Sequence, residues 1–228
     1  MELNADFTRR AAVHAGGLPW ISSPVAGVDR HMLDRIGDEV ARATSIVRYA
    51  PASRFPAHIH GGGEEFLVLD GVFQDEHGDF PRGCYVRNPP TSRHTPGSES
   101  GCTIFVKLWQ FDPADRTHVR LDTGRLAFLP AAPDRPGVEL MPLFHDGAEE
   151  VRLERWAPGS EVVLSAPGGI ELLVLDGSFE EGGERFEPRS WLRLPIGATL
   201  QAAAGPQGCR AWVKAGHLAR VRAAPVDA

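Results

Sequence analysis

The chain has 228 residues, 42% of them hydrophobic, enough for real cores and too many for a disordered chain. Its formal net charge is −6 with no cluster of Lys and Arg, which argues against a nucleic-acid partner. No apolar run approaches the roughly 18–20 residues needed to cross a bilayer, so no membrane partner is expected. The opening MELNADFTRRAAVHAGG lacks the apolar core of a signal peptide, and a soluble cytoplasmic protein is the expectation. Cys84, Cys102 and Cys209 are an odd, scattered set without a C-x-x-C pair, which predicts neither a disulfide framework nor a cysteine-based zinc site.

In chain order the segments read as strands. DRHMLDR (29–35) lies between Gly27 and Gly37 and is expected to be an edge strand rather than a helical turn. TSIVRY, FLVLDG and TIFVKLWQF are short and rich in branched or aromatic residues, as is the later ELLVLDG. The turn signals DEHGD, RNPPTS and EEGGE recur about every ten residues, a spacing typical of β-sandwiches and barrels. The 25 glycines and 19 prolines agree with many strands joined by tight turns.

The chain also repeats itself. EEFLVLDG (64–71) matches IELLVLDG (170–177), and IVRYAPAS (46–53) matches LERWAPGS (153–160). CYVRNP (84–89) matches SWLRLP (190–195), and GCTIFVK (101–107) matches GCRAWVK (208–214). HAGGLPW (14–20) against DTGRLAF (122–128) extends the match weakly to the start. Matches in order at a nearly constant offset mark a duplication, so two units are expected, at 1–112 and 113–228, joined near 112–118.

Chemistry concentrates in PAHIHGGGEEFLVLDG (56–71). Residues two apart on a strand face the same way, so His58 and His60 project together. Glu64 follows after three glycines, which allow the chain to bend between the His strand and the Glu strand. His94 follows the consecutive prolines Pro89 and Pro90, whose turn can bring it alongside the first pair. Three imidazoles and a carboxylate suit zinc, iron(II), manganese, nickel or cobalt rather than calcium or magnesium. One divalent transition metal per chain is expected, zinc first, with iron, nickel or manganese as alternatives. Phe66, Tyr85 and Phe105 are expected to line the barrel around it.

The second copy tests the set. Ser165 and Pro167 align with His58 and His60, Leu200 with His94 and Ile170 with Glu64, so all four candidates are missing together. Glu65 matches Glu171 and is assigned to the fold. HGGG (60–63) also resembles an esterase oxyanion motif, but no G-x-S-x-G accompanies it.

His58-x-His60-x3-Glu64-x6-Gly71 resembles the first cupin motif, and Gly83-x5-Pro89 followed by His94 resembles the second. Two glycines usual in those motifs are Ala52 and Thr91 here. The wider text HGGGEEFLVLDGVFQDEHGDFPRGCYVRNPPTSRHTP is similar to the ChrR-type cupins, named for a zinc-binding anti-sigma factor. The resemblance implies an all-β chain of two tandem jelly-roll (cupin) β-barrels, with metal at His58, His60, Glu64 and His94 of the first and none in the second. Sigma-factor binding, which in those regulators belongs to a separate helical domain, is not expected to carry over, since the sequence shows no His-x3-Cys-x2-Cys motif. Two functions follow as expectations: a binding protein responsive to a small molecule or oxidant, or a dioxygenase-like enzyme on a small enolisable or aromatic substrate. A metal that only braces the barrel is the third. A homodimer is also expected, and the second barrel is expected to be structural, packing on the first barrel or on a second subunit.

Overall fold

The computed structural model describes residues 1–38, 40–222 and 224, and among them are strands, turns and three short 3-10 segments but no α-helix. The chain divides into two compact units. One comprises Met1–Ala5, Pro19–Arg125 and Arg222–Ala228, the other Asp6–Leu18 and Leu126–Val221.

The first unit's main sheet runs in the order Glu2–Leu3, Val28–Gly37, Ala41–Tyr49, Cys102–Leu108, Glu64–Asp75, Cys84–Asn88, Val119–Asp122. The segment expected as an edge strand lies within Val28–Gly37, flanked on its outer side, among the described residues, only by the two-residue strands Glu2–Leu3 and Ile21–Ser22. The second unit repeats the order with Leu129–Pro130, Val138–His145, Glu150–Trp156, Ala198–Ala215, Ile170–Glu181, Ser190–Leu194 and Ala11–His14.

Both sheets end on a strand from the other sequence repeat. Ala11–His14 pairs with Ser190–Leu194, whereas Val119–Asp122 pairs with Cys84–Asn88. The compact units therefore do not follow a cut at residue 112. Each takes its last strand from the start of the other repeat, because antiparallel pairing rather than chain order decides which backbone groups are satisfied.

Each unit is folded around one long strand that changes partners midway. Residues 64–71 pair with Cys102–Leu108, while 72–75 pair with Gly78–Pro81. Gly71 stands at the corner with φ 70°, where a Cβ would meet the Gly101 carbonyl oxygen at 2.1 Å, so only glycine fits. Gly177 does the same in the second unit, with φ 69° and the Gly208 oxygen at 2.1 Å.

The two faces of the sheet differ in chemistry. Glu64, Phe66 and Val68 share one face, and Phe66 and Val68 pack with Phe73, Phe80, Val86, Ile104 and Val106 in an apolar cluster. The other face carries a buried charged row, in which Thr44, Lys107, Glu65 and Arg87 sit side by side on four paired strands. Arg87 lies 3.7 Å from Glu65 and 3.0 Å from Asp115, with its guanidinium 4.2 Å from the Phe111 ring. Lys214, Glu171 and Arg193 form the same row in the second unit, and Arg193 lies over Phe7. Glu65 thus serves the fold, as its persistence in both copies implied.

Candidate metal centre

His58–Ile59 and Arg93–His94 form a two-stranded ladder in which His94 sits directly across from His58. His60 follows two residues on, and Glu64 opens the long strand facing the same interior. One ligand atom from each of His58, His60, Glu64 and His94 lies within 4.8 Å of all the others, a grouping that could hold a metal ion. The Nε2 atoms of His58 and His60 are 3.2 Å apart, and Glu64 Oε2 lies 3.4 Å from His60 Nε2 and 3.6 Å from His94 Nε2. Donors about 2.1 Å from one ion lie about 3.0 Å apart at right angles and about 3.4 Å apart at the tetrahedral angle, so the spacing fits. His60, Glu64 and His94 are buried and His58 is exposed, leaving the set open on one side.

Each histidine is held by its other nitrogen. Nδ1 of His94 meets Asp75 at 3.2 Å, Nδ1 of His60 meets the Ser92 hydroxyl at 3.0 Å, and Nδ1 of His58 meets the Pro56 carbonyl at 3.3 Å. Asn88 Nδ2 donates to Glu64 at 3.2 Å. Partners of this kind select the tautomer that turns Nε2 inward, the usual outer support of a metal site. Burial pushes the His60 imidazole below its usual value against the pull of Glu64. Burial acts the same way on His94, but the Asp75 bond and the Glu64 charge outweigh it and hold that imidazole above its usual value.

The same backbone in the second unit carries no such set. Leu164 pairs with Leu200 where His58 pairs with His94, and Ser165 pairs with Thr199 where Ile59 pairs with Arg93. The alignment of His58 with Ser165 and His60 with Pro167 is therefore corrected by one residue: their counterparts are Leu164 and Ala166. The extra residue lies upstream, between the matched Pro-x-Ser turns and the His strand. All four positions become Leu164, Ala166, Ile170 and Leu200, and all four belong to one buried apolar cluster. What was a loss of histidines is a replacement of four converging polar groups by four core residues.

Of the three aromatics expected at the lining, only Phe66 shares the face of Glu64. Tyr85 pairs with Leu67, and Leu67 with Phe105, which puts both aromatic residues on the opposite face. The Tyr85 hydroxyl donates to Glu65 Oε1 at 2.6 Å, far from any role as a wall of the site. The aromatic wall is instead Phe73, whose ring centre is 5.7 Å from that of His94, backed by Phe66 at 4.7 Å and Tyr49 at 5.8 Å. Sequence reasoning also missed Asn88, Ser92 and Asp75. Asn88 and Ser92 become Leu194 and Ala198 in the second copy, so the comparison that singled out the four converging residues would have singled them out too. Asp75 becomes Glu181 and stays hidden because its acidity persists.

A family model, the ChrR cupin-like domain, matches residues 8–112 and again 116–219. The chain belongs to this family, and each repeat is a cupin jelly-roll barrel. No curated protein matches it by sequence. Among solved structures it is similar to a candidate dioxygenase of Nostoc punctiforme, at 18% identity over 97% of this chain and 84% of that one, with TM-score 0.70. It is also similar to YlbA of Escherichia coli, at 15% identity over 95% and 94%, with TM-score 0.69. The pirin YhhW of Escherichia coli, solved with nickel(II), matches at 14% identity over 91% and 98%, with TM-score 0.63. At these identities the likeness shows the fold. No helix among the described residues is long and apolar enough to cross a membrane.

Proposed function

We propose that the first barrel holds one divalent transition metal, zinc first among the candidates, on Nε2 of His58, His60 and His94 and a carboxylate oxygen of Glu64. The ion presents an open side to a small-molecule ligand. The observation that carries this reading is the four-for-four exchange of these residues for Leu164, Ala166, Ile170 and Leu200 in an otherwise equivalent barrel. A polar set serving only to fill the interior has no reason to converge on one point, and burying it without a partner is unfavourable.

When bound, such an ion supplies Lewis acidity and open coordination positions. This chain's own residues supply the rest. Asp75, Ser92 and Asn88 fix the donors, Phe73 and Tyr49 wall off one side, and the exposed His58 marks the side from which a ligand arrives. In this reading the barrel binds a small molecule and the second barrel is structural. Elemental analysis of the protein as purified, with titration of the stripped protein by zinc, iron(II), nickel and manganese, tests it. One equivalent per chain, lost in His94→Ala, is the expected result, and no stoichiometric binding of any of the four would overturn it.

The mixed imidazole and carboxylate set equally suits iron(II), which supports a second reading, a dioxygenase-like oxidation of an enolisable or aromatic substrate. Its mark is oxygen uptake by the iron-loaded protein with a member of a diketone and catechol panel. A protein with confirmed bound iron that consumes no oxygen across that panel leaves the binding reading standing alone.

A further inference from the structure

The loop between His60 and Glu64 is three glycines, Gly61 to Gly63, and has no side chains with which to fix itself. Two backbone bonds clasp it, from Trp109 N–H to the Gly63 carbonyl at 3.2 Å and from Phe111 N–H to the Gly62 carbonyl at 3.3 Å. The second barrel has the same clasp. Gly216 N–H donates to Gly169 at 3.0 Å and Leu218 N–H to Gly168 at 3.1 Å. Phe111 and Leu218 also match, since a Cβ on Gly63 or Gly169 would meet their side chains at 2.5 and 2.6 Å.

One residue differs. The position after the strand has φ 88° in Gly216, which glycine adopts freely, and φ 58° in Trp109, where a bulky residue is an outlier. The clasp does not need the tryptophan, because the second barrel makes it with glycine. What the tryptophan adds is an indole lying flat against the loop. A Cβ on Gly62 would stand 2.3 Å from its Cδ2 and Cε3, and one on Gly61 would stand 2.8 Å from its Cζ2. This indole occurs in the barrel with the converging donors and is absent from the barrel without them.

We infer that Trp109 is a positioning residue of the metal centre: its indole packs on Gly61 and Gly62 and holds His60 and Glu64 at the separation one ion requires. The inference rests on the metal reading above. It explains why the backbone at 109 is kept in a conformation that glycine would adopt more easily, since strain that persists beside a site is a pointer to function. It also explains Gly61, which is Pro167 in the second barrel, because a side chain there would meet the ring, whereas Gly62 and Gly63 match Gly168 and Gly169 of the clasp common to both barrels.

The test is Trp109→Gly, the residue of the second barrel, in the full chain, with Trp109→Phe beside it. Zinc affinity is measured by competition with a chromophoric chelator, coordination by the visible spectrum of the cobalt(II) form, and folding by thermal melting of the stripped protein. The glycine variant is expected to bind zinc about 10–100-fold more weakly, the range found for residues that orient ligands from outside. Its cobalt spectrum should change, and its stripped form should melt no lower than the parent's. Trp109→Phe should recover most of the affinity. Unchanged affinity and spectrum in the glycine variant would overturn the inference while leaving the metal reading intact. So would a loss of affinity matched by a fall in the melting temperature of the stripped form, which marks a merely structural ring. A parent that binds neither zinc nor cobalt would overturn the metal reading and this inference with it.

Discussion

Thr91 and Gly197 occupy the same turn of the two barrels with nearly the same backbone angle, φ 75° and 76°. Ala52 and Gly159 repeat the relationship at φ 58° and 68°. The resemblance identified Ala52 and Thr91 as positions where cupins usually carry glycine, and the backbone has kept the glycine conformation after the side chain changed. An L-residue held there costs on the order of 1 kcal/mol or more, partly offset by the greater freedom of glycine in the unfolded chain. Thr91→Gly and Ala52→Gly should each raise stability by about 1 kcal/mol, read as a higher melting temperature of the stripped protein. A lower one would show that their side chains make compensating contacts.

The adjacent glutamates should separate cleanly. Glu64→Gln keeps the shape and the neighbourhood of Asn88 but removes a charged donor, so metal affinity should fall by more than the roughly 10–100-fold of an outer-sphere change. Glu65→Gln should leave affinity unchanged and cost about 3 kcal/mol, because Arg87 and the Tyr85 hydroxyl lose a buried anion. Chelator competition and urea unfolding on both variants check the pair, and the opposite pattern would reassign the ligand.

Asp75 is the acceptor for His94 Nδ1 and Ser92 the partner of His60 Nδ1. Asp75→Asn and Ser92→Ala should each weaken zinc by about 10–100-fold while the protein stays folded. The alanine is already the residue of the second barrel at Ala198, where no donor needs orienting. Affinity equal to the parent's in both variants would place the control of the imidazoles elsewhere.

The second barrel has an acid-sensitive joint. Burial alone would push the Glu154 carboxyl up, but Arg152, Arg135 and the Trp156 indole N–H outweigh it and hold it below its usual 4.5. A carboxyl lowered on folding contributes stability that is fully present above its unfolded value and lost as pH falls through the folded one. The stability gap between the parent and Glu154→Gln should therefore be widest near neutral pH and shrink below about pH 4.5. Urea melts of both across the acid range check it, and a gap that does not change with pH would refute the ionic role.

Much of the site was legible from local pattern. His58 and His60 are two apart, which on a strand means one face, and a copy lacking them separated Glu64 from Glu65 without any structure. The missed supports were invisible for particular reasons. Asp75 is acidic in both copies, and Phe73 reaches His94 from beyond the corner at Gly71, so nothing nearby in the chain announces either.

The sequence by itself determined the duplication, the all-β character and the four residues that converge, because repeats and the alternation of a strand are written in consecutive residues. Only the tertiary structure decided register and membership. Pairing of His58 with His94 against Leu164 with Leu200 moved the alignment by one residue and showed that the converging polar set is exchanged for core. Pairing of Tyr85 with Leu67 turned Tyr85 and Phe105 away from Glu64. Pairing of Ala11–His14 with Ser190–Leu194 placed the chain's early strand in the later barrel. In each case the deciding hydrogen bonds join residues far apart in the chain, and a shift of one residue in such a ladder sends every side chain to the other face.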